Sequence, residues 1–274
     1  MALMRRKPEF LKHIILLAVL AVIPLLVVSP RIMTARMVAD SENGTKVMVL
    51  NYHKIDNVDI SLSVLPEDFD AQMKYLKENN YHTITPDELY ESLSGNYELP
   101  ENPVLITFDD GYADNYQNAY PILRKYGFKA TIFVISSFVG TKEHYFTWDQ
   151  AREMASNGIT IQSHTVDHKS MTDLSDDQLR MELVESRKKI EEEMGQSVQY
   201  IAYPTGAYNL HIAQLVKDAG YKAAFTIKYG NVDKASNVYA LERVPIFHTE
   251  DTYRSFLERI RYTPLFERFG WMKN

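Results

Sequence analysis

The sequence predicts an α/β fold in which parallel strands and helices build a barrel, regular or distorted. Three observations point there. From Lys46 onward strand-like and helix-like segments alternate, the signature of βα units. The roughly 225 residues they fill suit one barrel better than two small domains. Polar, chemically capable residues collect at the ends of four separate strands: His53, the pair Asp109 and Asp110, the pair His164 and His168, and Pro204 with Thr205. In such folds sites gather at the C-terminal ends of strands, so these residues belong to one rim.

The segments in order are as follows. Residues 47–53 (VMVLNYH) are a short β-rich run, and 66–80 show helical spacing at Phe69, Met73 and Leu76. Residues 85–93 open with a capping pattern, Thr85 then Glu88. VLITF (104–108) reads as a strand, 115–127 as a helix stopped by Gly127, and 129–136 as a strand. A helix over 148–158 ends in Asn-Gly, followed by the strand ITIQSH (159–164). The clearest helix is 175–195, with Ser175 and Gln178 as a capping box, Leu179 and Leu183 on one face and Gly195 at the stop. Then come a strand (198–204), a helix (211–220), a strand (222–228) and a last strand (239–247).

The chain of 274 residues begins differently. Arg5, Arg6, Lys7 and Lys12 precede an uncharged apolar run over 14–28, and Arg31 and Arg36 follow it. Two readings stand, an uncleaved signal-anchor helix and a cleaved signal peptide. The basic excess ahead of the run places the N-terminus inside and the rest outside. The expected organisation is a basic tail and transmembrane segment (1–30), a linker (31–45) and a catalytic domain (46–274). The expected location is the cell membrane, single-pass with the domain extracellular, or secreted if the segment is removed. A formal net charge of -6 argues against a nucleic-acid footprint. With no cysteine, a metal must be held by His, Asp or Glu.

His164 and His168 are four apart in HTVDH, a spacing at which two imidazoles can converge on one ion. With one carboxylate of the Asp109/Asp110 pair they make a facial triad that leaves positions open, as a hydrolytic metal needs. The second carboxylate can then accept a proton. A cation also explains how two adjacent acids are tolerated at a strand end.

TFDDG, HTVDH and YPTG together resemble the polysaccharide deacetylases of the NodB-homology type, carbohydrate esterase family 4. The resemblance covers Lys46 to the last strand and implies a distorted (β/α) barrel that removes acetyl groups from N-acetylated sugars. It implies that Asp109 is the general base, that Asp110, His164 and His168 bind a divalent metal (Zn2+, with Co2+, Ni2+ or Fe2+ as alternatives), and that Thr165 braces the metal loop. Where many members have Arg-x-Pro-Tyr, Ala202 and Thr205 stand here. Thr205 can keep the oxyanion role through its backbone N–H, and Arg243 in LERVPI is the candidate to replace the missing arginine that orients the base. The usual Asp-x-x-Asp-Trp motif is absent.

For the general acid, His53 in VLNYH is similar to the subgroup that deacetylates poly-N-acetylglucosamine, whose motif order is circularly permuted; His248 in IFH is the other candidate. His13, His82, His144 and His211 have no motif context. Tyr112, Tyr203 and Pro204 are candidate substrate contacts, Tyr112 foremost, and Trp148 reads as packing. The expected partner is an N-acetylglucosamine-containing polysaccharide: exopolysaccharide, peptidoglycan or the amino-sugar linkage of a wall glycan. The alternatives are an O-acetyl esterase on the same scaffold and a degenerate carbohydrate-binding protein.

Overall fold

The computed structural model describes residues 46–268. The expected tail, transmembrane segment and linker (1–45) lie outside them, and among the described residues no helix is long and apolar enough to cross a membrane.

The strands are β1 (Met48–Tyr52), the two-residue β2 (Lys54–Ile55), β3 (Ser63–Val64) and β4 (His82–Thr83), then β5 (Pro103–Asp110), β6 (Ala130–Val134), β7 (Ile159–Ser163), β8 (Tyr200–Ala202), β9 (Ala223–Tyr229) and β10 (Leu241–Pro245). β1, β10, β9, β8, β7, β6 and β5 run parallel, and β5 pairs back onto β1 from Met48↔Val104 to Tyr52↔Phe108, which closes the barrel. β4 adds to the start of β5 at Pro103 and Val104. Helices α1 (Pro66–Glu78), α2 (Pro86–Leu93), α3 (Tyr120–Tyr126), α4 (Trp148–Ala155), α5 (Asp176–Met194), α6 (Leu210–Asp218) and α7 (Thr252–Arg268) complete the chain.

The wall is uneven, which is what makes the barrel distorted. β1 and β5 match along five residue pairs, whereas β7 and β8 share only Ser163↔Ile201. Side chains close that seam: Gln162 Oε1 accepts the N–H groups of Gln199 and Tyr200, each at 2.9 Å. The register between β9 and β10 shifts between Leu241 and Arg243, an irregularity of the kind that re-aims a side chain.

Strand alternation sorts the barrel into two apolar layers. Val49, Leu105, Phe133, Phe225 and Leu241 form an inner cluster. Leu50, Ile106, Phe108, Ile132 and Val134 pack outward with helix residues such as Phe69 and Leu183. On β5 the inward positions are therefore Leu105, Thr107 and Asp109, so the core turns polar toward the C-terminal end.

The alternation of predicted strands and helices holds, with local differences. The predicted helix over 115–127 starts as one wide π-type turn, Asn115–Ala119, before α3. Pro121 has no N–H to give to the preceding turn, and the chain accommodates it by widening. The last strand is shorter than 239–247, and α7 and the small β2–β3 pair had no counterpart in the pattern. The Thr85/Glu88 box forms in both directions, and Gln178 reaches back to the Ser175 N–H at 3.0 Å. Trp148 is buried, in keeping with a packing role. Gly111 has φ 87°, and a Cβ there would stand 3.1 Å from Val134 Cγ1, so the turn after the two aspartates is both left-handed and crowded.

Candidate active site

Asp109 is the last inward residue of β5 and is 2 % exposed. Its carboxylate is gripped by Arg243 from β10, Nη1 donating to Oδ1 at 2.8 Å and Nη2 to Oδ2 at 2.7 Å. The guanidinium is itself fully buried and fixed, its Nε donating to the Thr226 carbonyl at 2.7 Å. Asn51 of β1 donates to Asp109 Oδ2 at 3.1 Å. Burial alone pushes the Asp109 carboxyl up, but the Arg243 charge, then His164, the Arg243 hydrogen bonds and His53 outweigh it and hold the group well below the usual carboxylate range. Arg243 thus stands against Asp109, the residue it was expected to orient.

Asp110 does not continue the strand alternation. Its φ of 75° turns the side chain away from the direction of its neighbour, and it meets the two histidines that follow β7. Asp110 Oδ1 lies 3.5 Å from His164 Nε2 and 3.4 Å from His168 Nε2. The three donor atoms all lie within 4.8 Å of one another. Asp110 Oδ1 is buried with no hydrogen-bond partner. His164 Nδ1 bonds the Ala202 carbonyl at 2.8 Å; a carbonyl only accepts, so Nδ1 carries the proton and the Nε2 lone pair faces the other donors. Burial holds the His164 imidazole below its ordinary pKa against the pull of Asp109 and Asp110.

These residues fit a divalent metal. Two donors each about 2.1 Å from one ion at a tetrahedral angle sit about 3.4 Å apart, which matches the Asp110 to histidine spacings. One carboxylate and two imidazoles on one side leave the other positions open. An orphaned buried carboxylate oxygen is what such an ion would satisfy.

The backbone around the site is strained. Asp110, Thr165 (φ 66°), His168 (φ 58°) and Thr205 (φ 57°) are all left-handed without being glycine. Each costs about 1–3 kcal/mol, and two are β-branched. Thr165 Oγ1 accepts the His168 N–H at 3.2 Å, the bracing contact expected of it.

The two candidate acids separate clearly. His53 Nε2 stands 4.0 Å from Asp109 Oδ2, and the Nδ1 atoms of His53 and His248 are both buried without a partner. His248 Nε2 is instead 3.5 Å from Asp59, on the β2–β3 loop. Of the remaining histidines, His82 and His211 are exposed and bonded to Glu101 and Asp176, His144 is exposed, and His13 lies outside the described residues.

The substrate candidates fare unequally. Tyr112 is half-buried at the rim, stacked on Tyr145 with centroids 5.1 Å apart. Lys54 Nζ lies 4.6 Å from its centroid. Burial, then the Asp110 charge and Tyr145, push its phenol well above the ordinary range. Tyr203 corrects the expectation: it is fully buried, its hydroxyl donating to the Tyr239 carbonyl at 3.0 Å and its ring stacked on Tyr208, so it props the wall and offers a polymer no surface. Pro204 is buried too and sets the turn, while Thr205 is exposed. Sequence reasoning missed Asn51 and the pair of Lys54 with buried Asp114 at 2.6 Å. Asn51 sits at an inward position of β1 among apolar residues, and that contrast of residue type is the signal that could have found it.

Comparisons with known proteins find polysaccharide deacetylases. The polysaccharide deacetylase family profile matches residues 96–224. A putative polysaccharide deacetylase of Bacillus subtilis (strain 168), YxkH, is 41% identical over 206 residues, 75% of this chain and 73% of that protein. The poly-beta-1,6-N-acetyl-D-glucosamine N-deacetylase of Staphylococcus aureus (strain MRSA252) is 28% identical over 77% of this chain and 82% of its own. Among solved structures, the Streptococcus pyogenes deacetylase PplD in complex with acetate superposes with a TM-score of 0.75 at 31% identity, covering 79% of this chain and 99% of that one.

Proposed function

The chain belongs to the polysaccharide deacetylase family, of NodB-homology type with the motif layout of the poly-N-acetylglucosamine deacetylases, and from that premise we propose that it is a metal-dependent hydrolase removing N-acetyl groups from N-acetylglucosamine residues of a cell-surface or cell-wall polysaccharide. The observation that carries the proposal is the proximity of His53 to Asp109, at 4.0 Å, beside the convergent Asp110, His164 and His168. Base, metal donors and acid would then work at one acetamide. The same proposal keeps residues 1–30 as a membrane anchor with the barrel outside, where such polymers lie.

Bound by Asp110, His164 and His168, a divalent ion, zinc foremost, would polarise the acetyl carbonyl and acidify the attacking water. Asp109 takes the proton of that water on Oδ1, which accepts only one hydrogen bond, from Arg243. Arg243 and Asn51 keep the carboxylate from rotating. The backbone N–H of Thr205 is the candidate donor to the developing oxyanion. His53 gives its Nε2 proton to the departing nitrogen, since an amine leaves poorly unless protonated. Acetate and a glucosamine unit are the products.

The direct test incubates the purified, zinc-loaded chain with poly-N-acetylglucosamine, peptidoglycan and a wall glycan carrying an amino-sugar linkage, and measures released acetate and new free amines. Release from at least one polymer is expected, and silence on all three would overturn the proposal. The acid assignment has its own check. His53→Ala is expected to lower amide turnover about 100- to 1,000-fold, with a loss of less than about tenfold on an activated acetyl ester, because an alcohol leaves without help. Equal losses on both substrates would remove His53 from this role.

A further inference from the structure

The loop that carries both imidazoles is held from behind by a carboxylate outside every motif. α5 buries a stripe of Leu179, Glu182, Leu183, Ser186 and Ile190. Within that apolar stripe Glu182 is 1 % exposed. Its Oε2 accepts the backbone N–H of Val166 at 2.8 Å and of Asp167 at 3.0 Å. These are two of the three residues between His164 and His168. The nearest cation is Lys169, with Nζ 3.6 Å from Oε1. On its other side the loop is tied to the chain after β6, the Ser136 and Ser137 N–H groups donating to the Thr165 and Val166 carbonyls, each at 3.1 Å. A buried carboxylate bonded by two amides makes the stronger, charge-assisted kind of contact. Without it the left-handed backbone at Thr165 and His168 loses the two bonds that restrain the loop from the α5 side, while the ties to Ser136 and Ser137 remain, and His168 gains room to move out of line with Asp110.

We propose that Glu182 is a positioning residue of the metal site, its carboxyl group fixing the loop through the Val166 and Asp167 amides so that the Nε2 atoms of His164 and His168 converge on Asp110. The inference rests on the metal-dependent reading above. Groups that orient metal ligands typically govern affinity by 10- to 100-fold.

The experiment compares the full-length chain with its Glu182→Gln and Glu182→Leu variants. Co2+ binding is followed by visible absorption, Zn2+ binding by competition with a chromophoric chelator, and stability by thermal unfolding of the metal-free forms. Glu182→Leu is expected to weaken binding of both metals by about 10- to 100-fold and to change the cobalt band intensities. Glu182→Gln, a neutral acceptor of the same shape, is expected to weaken binding by less and in the same direction. If Glu182→Leu does not fold, Glu182→Gln decides. Folded variants that bind Co2+ within twofold of the unsubstituted chain, with an unchanged spectrum, would reduce Glu182 to a purely structural contact and overturn the inference. An unsubstituted chain that binds neither metal would overturn the metal-dependent reading itself, a distinct result.

Discussion

Asp110→Asn is expected to lose tight Zn2+ binding and to lower deacetylation by about three orders of magnitude or more, roughly 4 kcal/mol of transition-state stabilisation. Asparagine keeps the size and left-handed backbone preference of the position and removes only the charge. In the native site, Asp110 Oδ1 is the atom on which both imidazoles converge, and it has no hydrogen-bond partner to retain it there. A neutral amide oxygen is a poorer ligand for a divalent ion, and the amide can turn its NH2 toward the histidines instead. Equilibrium dialysis and a thermal scan make the check: metal content should fall while the metal-free melting temperature stays near that of the unsubstituted chain. A variant that kept its metal and its rate would remove Asp110 from the ligand set.

Arg243→Met is expected to be the most damaging single change for stability, by about 3–5 kcal/mol, because it leaves a buried carboxylate without its counter-charge. Arg243 and Asp109 are both almost wholly shielded, 0% and 2% exposed, so water cannot take the place of the guanidinium. The sign of the pH effect follows from the same contacts. With Arg243 in place, Asp109 is held ionised well below the ordinary range; without it, burial dominates and raises the pKa. The base is then ionised only at higher pH, and the acid limb of the kcat/KM profile should move upward. Stability behaves consistently. The depressed carboxyl contributes stability above its unfolded pKa that is lost as pH falls, and in Arg243→Met that contribution is absent. Adding Asp109→Asn should restore part of the lost stability and none of the activity. An unshifted acid limb in Arg243→Met would count against Asp109 as the base.

Much of this site was legible from residue order because strand ends are recognisable and chemistry collects there. The apolar runs VLITF and ITIQ, followed by the aspartate pair and by His164 and His168, pointed to a triad of two imidazoles and one carboxylate, and the family resemblance chose Asp110 from the pair. Arg243 was reached through the family resemblance, as a candidate from another strand end for the arginine that Ala202 replaces. What stayed hidden has physical causes. Closure of β1 onto β5 joins segments distant in the chain, Met48 with Val104 and Tyr52 with Phe108, through a register that no local pattern encodes. Tyr203 adjoins the rim in sequence, yet it turns into the core beside Tyr239, and neighbourhood along a chain says little about the face a ring takes. Glu182 is a charged residue at a stripe position of the clearest helix, a mismatch between pattern and residue type that the helical spacing alone exposes. The widened turn at Asn115–Ala119 shifts the helix by less than the periodicity can resolve.

The thin seam between β7 and β8 makes the two candidate ligands His164 and His168 unequal in the eyes of a geneticist. His164 supplies the bond to the Ala202 carbonyl in a stretch of wall where the backbone ladder has nearly run out and Gln162 takes the remaining load. His168 stands on the far side of the loop, about a third exposed (31%), and spans no seam. Alleles at the two codons should therefore fall into different classes. His168→Ala is expected to accumulate normally and to lose activity. His164→Ala unstitches the wall, lowers the metal-free melting temperature and is cleared as a misfolded chain, so the same lost ligand reads as a null. Immunoblots of the two strains, set beside their activity, would tell the classes apart.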